Sequence, residues 1–139
     1  MAFDLEFHDF TKAAEEAYEF ELKLPTGADS GAKFQVIGSQ SATIRNYNKR
    51  KFQEYQQRQQ IAKRKGREDE ISLDEAEEMA VDNALVRLVG WSGVTEKGKE
   101  VPFSKEKARE ILKQHAWIRE QVINESDDIL NFTPKASRS

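Results

Sequence analysis

The chain has 139 residues with 37% hydrophobic and 34% charged side chains and a formal net charge of −3. That is enough for one domain, leaner and more charged than an average one. The absence of cysteine, with only two histidines (His8 and His115), excludes a disulfide framework and a thiolate metal site. No basic-then-apolar leader opens the chain, and no apolar run approaches the ~20 residues of a membrane span. The expectation is a soluble, cytoplasmic protein with a small core and long solvated helices.

Residues 1–17 form an N-terminal arm in which Phe3, Leu5, Phe7 and Phe10 alternate weakly with acids, fitting a short strand or an apolar anchor. Tyr18, Phe20, Leu22 and Leu24 alternate with Glu19, Glu21 and Lys23, the period of a half-buried strand. Pro25 and Gly27 end it, and Lys33–Ile37 returns as a second strand after a loop of about seven residues, longer than usual. Gly38, Ser39 and Ser41 then introduce a helix over Ala42–Lys65. Its apolar stripe is narrow (Ile44, Tyr47, Phe52, Tyr55, Ala62), with Lys51 and Arg58 intruding, and Gly66 closes it.

The next stretch organises the rest. Ser72 and Glu75 have the spacing of a capping box, acids load the first turns, and Leu73, Ala76, Ala80, Ala84 and Leu88 share a helical stripe. The reading is a helix from Ile71 to Val89, entering the core where Leu85, Val86, Leu88 and Val89 surround Arg87, with Gly90 as its left-handed stop. Ser92–Val101 reads as a loop or a small two-stranded flap around Lys97–Gly98. Ser104 caps a helix over Lys105–Gln114 with Ala108, Ile111 and Leu112 inward. A last helix spans Ala116–Asn124 with Trp117, Ile118, Val122 and Ile123 inward. The whole is an α+β fold, mostly α: an antiparallel hairpin, a long helix and three shorter ones. It makes a single domain over 18–125, followed by a flexible tail, 126–139, in which Ile129, Leu130 and Phe132 form an apolar cluster.

Charge is segregated. Residues 1–21 carry seven acids against Lys12, residues 45–67 nine bases against Glu54, and residues 68–82 eight acids and no base. The basic block with interleaved Tyr47, Phe52 and Tyr55 has the look of a nucleic-acid face. Against that, the protein is acidic overall, whereas such modules usually have a pI above ~9. The favoured reading is a solvated helix whose charge pairs with the acidic blocks. Neither histidine has companions at metal spacing. Glu75, Glu77 and Glu78 lack the pattern of a calcium loop. No phosphate loop or nucleophile elbow is present. No catalytic residue, cofactor or metal is therefore expected.

Three segments, YEFELKLPTG (18–27), ISLDEAEEMA…ALVRLVGWSGV (71–94) and VPFSKEKAREILKQHAWIREQVI (101–123), resemble in order and spacing the tail assembly chaperones of long-tailed bacteriophages. Lys105–Glu106–Lys107 departs from the acidic or Asn-containing stretch found there. The resemblance implies a non-enzymatic factor in the host cytoplasm, absent from the mature virion. It would bind the tape-measure protein, and tail-tube subunits besides. Many such chaperones also have a longer, frameshifted form, which here would diverge in the 126–139 tail. The density of large apolar residues puts the expected client groove between the Trp91 turn, Phe103 and the Trp117 helix. Val122, Leu130 and Phe132 complete the partner-binding set. Self-association through the charge stripes is compatible with this reading. The competing readings are a nucleic-acid-binding regulator using 45–67 and a structural tail or connector protein.

Overall fold

The computed structural model describes residues 2–6 and 9–133. Strands β1 (Tyr18–Lys23), β2 (Asp29–Val36) and β3 (Leu88–Ser92) form an antiparallel sheet in the order β1-β2-β3. Phe20 stands opposite Phe34, and Phe34 opposite Trp91. The period-2 pattern of β1 therefore continues across the sheet. Phe20, Leu22, Ala32, Phe34, Val36 and Leu88 are buried on one face, while Glu19, Lys33 and Val89 look outward, as expected of an antiparallel sheet with one solvated side. Helices α3 (Leu73–Leu85), α4 (Lys105–Gln114) and α5 (Ala116–Asp127) cover the buried face with Val81, Ala84, Ala108, Leu112, Ile118 and Val122. A two-stranded flap, β4 (Thr95–Glu96) with β5 (Lys99–Glu100), projects after β3. Lys97 and Gly98 at its tip both have positive φ (53° and 77°), the demand of a tight hairpin turn whose twist matches its strands.

Serines start three helices. Ser41, Ser72 and Ser104 accept from the backbone N–H groups of Ile44, Glu75 and Lys107 at 3.2, 3.1 and 3.1 Å. The box at Ser72 is only half made, because the Glu75 carboxylate is taken by Arg58 at 2.9 Å. Helix α2 (Ala42–Arg64) is seated through Ile44 and Tyr47 in its first turns. Its far end curls at Gly66 (φ 66°), where Arg67 N–H returns to the Ala62 carbonyl at 3.0 Å. Between those ends it stands mostly in solvent, with Phe52 and Tyr55 exposed.

The organising stretch divides differently from its sequence reading. The helix ends at Leu85, and Leu88–Ser92 is the third strand. The apolar run through Val89 is the switch from a helical stripe to a strand, and the β-branched Val86 and Val89 suit the latter. Gly90 is no left-handed stop. It pairs with Gln35 in the sheet, and a Cβ there would collide with the Gln35 side-chain amide. Lys105 secures the changeover, its Nζ donating to the carbonyls of Leu85 and Leu88 at 2.7 Å each. Burial of that ammonium pushes its pKa below the usual lysine range. The β1–β2 connection is also shorter than expected, because β2 begins at Asp29 rather than Lys33.

At the N-terminus, Thr11–Ala14 is a short helical turn, α1, rather than a strand. Phe3 and Leu5 are exposed, and the docked residue is Ala14, whose carbonyl accepts from Gly38 N–H at 2.8 Å. Phe7 and His8 lie outside the described residues. At the other end, Ile129–Phe132 is a 3-10 turn that folds Phe132 into the core against Tyr18.

Candidate functional site

The six residues expected to meet a partner do not share one surface. Val122 and Phe132 are 0% and 3% exposed. They are core, and a partner reaches neither without opening the domain. The inward stripe of α5 accounts for Val122. The edge-on contact of Phe132 with Tyr18, ring centres 5.9 Å apart, accounts for the other. Leu130, on the outer side of the same turn, is exposed. Trp91 and Phe103 are half-buried and pack edge to face at 5.0 Å, with Trp91 also 5.5 Å from Phe34. The Trp91 indole N–H donates to the Val101 carbonyl at 2.8 Å, so this ring clamps the base of the flap. Trp117 is half-buried on α5 beside the exposed His115, ring centres 6.0 Å apart.

A groove does lie nearby, with other walls. A cleft of about 510 Å³ opens between the sheet, the flap and the α4–α5 junction. Leu22, Ala32, Phe34, Val94, Val101, Ile111 and Ile118 supply its apolar lining, and Glu96, Lys107, Glu110, Gln114 and His115 its polar part. Lys107 bridges to Glu96 of the flap at 2.8 Å. The hydrogen bond from Lys107 holds the Glu96 carboxyl below its usual range, and the same bond raises the ammonium. The flap is thus latched by an exposed ion pair and an indole bond, while apolar side chains remain open to a guest beneath it. That arrangement suits the holding of an apolar segment. Among the described residues, no group of three or more His, Cys, Asp or Glu could hold a metal ion, and no helix is long and apolar enough to cross a membrane.

A second groove, about 560 Å³, runs between α2 and α3. Tyr47, Tyr55, Ile71, Met79 and Ala80 line it, with Lys51, Glu54 and Arg58 among them. In the expected pairing of the basic block with the acidic blocks, Arg58 makes the close ion pairs, while Arg45 acts on Asp9 through space. Arg58 binds Asp69 at 2.8 Å and Glu75 at 2.9 Å, and Lys51 reaches Glu54 on its own helix at 3.3 Å. Of the nine bases, the other seven (Arg45, Lys49, Arg50, Lys63, Arg64, Lys65 and Arg67) form no ion pair among the described residues. The acids of α3 turn the other way. Glu78 pairs with Lys113 at 2.8 Å and Arg109 at 3.3 Å, and Asp82 pairs with Arg109.

Sequence reasoning missed the polar cluster around Arg87. This side chain is 5% exposed. It donates to the Asn83 carbonyl at 3.1 Å, Ser126 Oγ at 3.1 Å and Asp127 Oδ1 at 2.5 Å. Ser126 Oγ in turn donates to the Ile37 carbonyl at 2.6 Å. The lone base inside ALVRLV was the available signal, since a charge in an apolar run must find partners.

The fold and grooves define a small α+β protein with two open grooves on its surface. The YdaY prophage protein family matches residues 45–139, and the chain belongs to that family. The match begins inside α2 and runs through the groove, the flap and the C-terminal helices. It makes the protein phage-related, which is the coarser part of what the sequence resemblance implied. No curated protein and no solved structure matches the chain.

Proposed function

We propose that this phage-related protein is a non-enzymatic tail assembly chaperone. It holds the tape-measure protein, and tail-tube subunits besides, in the host cytoplasm, and it leaves before the particle is finished. The prophage family supports the phage setting, and the resemblance over 18–123 supports the tail. The observation that carries the reading is the cleft under the flap, which keeps the part-exposed Val94, Val101 and Ile111 within reach of an apolar client segment. The test is co-purification with the tape-measure protein of the same phage. Ile111→Gln and Val94→Gln are expected to lose the client while keeping the native circular dichroism. Retention by both variants sinks the cleft as the client site, and finding the protein by mass spectrometry in purified particles favours a structural tail part instead.

The seven bases on and just beyond α2 that form no ion pair among the described residues favour one second reading, a nucleic-acid contact along that helix. A salt series decides it. A binder neutralising several phosphates loses affinity steeply between about 50 and 200 mM salt, and no binding at the low end removes this reading.

A further inference from the structure

The side of α2 turned away from α3 carries a pattern of its own. Lys49, Gln53, Gln56, Gln57, Gln60 and Arg64 recur at helical spacing and so share one face. All six are exposed. None of them lines the groove between α2 and α3, which takes Tyr47, Lys51, Glu54, Tyr55 and Arg58 instead. Glu54 is the sole acid of α2, so the outer side of this helix has no carboxylate of its own. Two basic clusters bound the glutamines, Arg45, Lys49 and Arg50 at the body end and Lys63 and Arg64 at the far end. None of the five forms an ion pair among the described residues. Arg45 acts on Asp9 through space, and Arg50 lies 5.6 Å over the Tyr47 ring. On α3, Glu78 and Asp82 are engaged by Lys113 and Arg109 of α4.

A stripe of amides between two positive ends has a particular complement. Lys49 and Arg64 stand about 22 Å apart along the axis at 1.5 Å per residue. The major groove of B-form DNA is about 12 Å wide and admits one helix. A helix of this length laid in it overhangs both banks, so its ends meet phosphates of the two strands while its middle faces the base edges. The glutamine amide, a donor beside an acceptor, fits N6 and N7 of adenine. Other polyanions use less of the pattern. An acidic protein surface has use for the bases but none for four aligned amides. An anionic membrane needs an apolar strip beside the bases, and the apolar side of α2 is turned to the core through Ile44 and Tyr47. The major groove of duplex RNA is too narrow for side chains to read.

We propose that α2 is a recognition helix for duplex DNA, its outer face lying in the major groove with Gln53, Gln56, Gln57 and Gln60 over the base edges. The inference rests on the second reading above, a nucleic-acid contact along α2, and narrows it to a duplex read by sequence. The five flanking bases hold phosphates. With about five phosphates neutralised, the logarithm of affinity falls against the logarithm of salt with a slope of about −4, a loss of a few hundredfold between about 50 and 200 mM. The cleft under the flap contains no residue of α2, so the two contacts do not compete for side chains.

Fluorescence anisotropy of the full chain tests it, with a random-sequence DNA duplex, its separated strand and an RNA duplex as labelled probes. Duplex DNA should bind at least about tenfold tighter than either of the others at about 50 mM salt. Selection from a random duplex pool should enrich a sequence containing adenine. Gln56→Ala with Gln60→Ala should lose at least about tenfold on that sequence and leave random duplex unchanged. Lys49→Ala and Arg64→Ala should each weaken all duplexes alike and reduce the salt slope by about one. These four positions are exposed, and native circular dichroism of each variant checks the fold. No binding to any of the probes up to about 100 μM at low salt overturns this proposal together with the reading it rests on. Single strand or RNA held as tightly as duplex DNA, selection without enrichment, or glutamine variants indifferent to the enriched sequence overturns the groove readout and leaves the coarser contact standing. Displacement of the DNA by polyglutamate at equal charge overturns it too, and assigns the face to an acidic protein.

Discussion

Replacing Arg87 with Met keeps the length of the side chain and removes the guanidinium from the junction of α3, β3 and α5. The bonds to the Asn83 carbonyl, Ser126 Oγ and Asp127 Oδ1 disappear together. Their worth is unequal. The Asp127 side chain is 52% exposed, so water takes over much of that pairing and the loss there is about 1 kcal/mol. Ser126 is 1% exposed, and no water replaces what it loses, although its hydroxyl keeps the Ile37 carbonyl. Taking about 1–1.5 kcal/mol for each remaining bond and allowing for the thioether burying well, Arg87→Met should cost about 2–4 kcal/mol. For a chain of this size that lowers the midpoint of thermal unfolding by roughly 10 °C. Arg87→Lys should recover little, since an ammonium cannot span the same partners. Asp127→Asn should cost under about 1 kcal/mol. The assay is urea and thermal unfolding followed by circular dichroism, with a double-mutant cycle to Ser126→Ala. An Arg87→Met protein within about 0.5 kcal/mol of wild type, or strict additivity with Ser126→Ala, would refute the reasoning.

Other outcomes follow from the same packing. A Cβ at Gly38 would lie 2.9 Å from both the Ala14 Cβ and the Phe132 ring. Gly38→Ala should therefore cost about 1–3 kcal/mol and raise proteolysis at both chain ends, and unchanged protection would contradict the docking of α1 and the last turn. Val122→Ala should destabilise by about 1–3 kcal/mol through its cavity, whereas Leu130→Ala on the surface should stay within about 0.5 kcal/mol. Denaturant midpoints distinguish them. Hydrogen bonds from Lys113 and Lys107 hold Glu78 and Glu96 below the usual glutamate range in the folded state. Their contribution is thus complete above the usual glutamate range and lost as pH falls through the lower folded values. The urea midpoint should drop from about pH 5 to pH 3, less steeply in Glu78→Gln and in high salt. A Glu78→Gln profile parallel to wild type would exclude Glu78 as a source.

The hairpin, the long helix and the two C-terminal helices were legible because each has a local cause. Alternation marks β1, and Ser41, Ser72 and Ser104 mark helix starts. What escaped was decided at a distance. Residues 85–89 satisfy helical and strand patterns alike, and only the presence of β2 as a pairing edge draws Leu88–Ser92 into the sheet. Phe132 looked like tail because its partners, Tyr18, Ala14 and Gly38, lie near the other end of the chain. The candidate site was legible in outline. The apolar density around Trp91, Phe103 and Trp117 lies beside the cleft, but those rings brace the flap or the helix edge, and the lining falls to Phe34, Val94 and Ile111. The unpaired state of the basic helix could not be read from block charges, because the acids of α3 face α4 instead.

Strand β2 lies between neighbours of very different provenance. Its first, β1, is already made when β2 leaves the ribosome, whereas Leu88, which faces Val36, follows only about fifty residues later. At about 5–20 residues per second, the open side of β2 waits several seconds of synthesis for its mate. During that interval the nascent hairpin shows Phe20 and Phe34 to whatever is near. The α2–α3 excursion is therefore also a delay line, and shortening it without disturbing its seat on Ile44 and Tyr47 should raise the yield of soluble protein during translation more than it changes the stability of the finished fold.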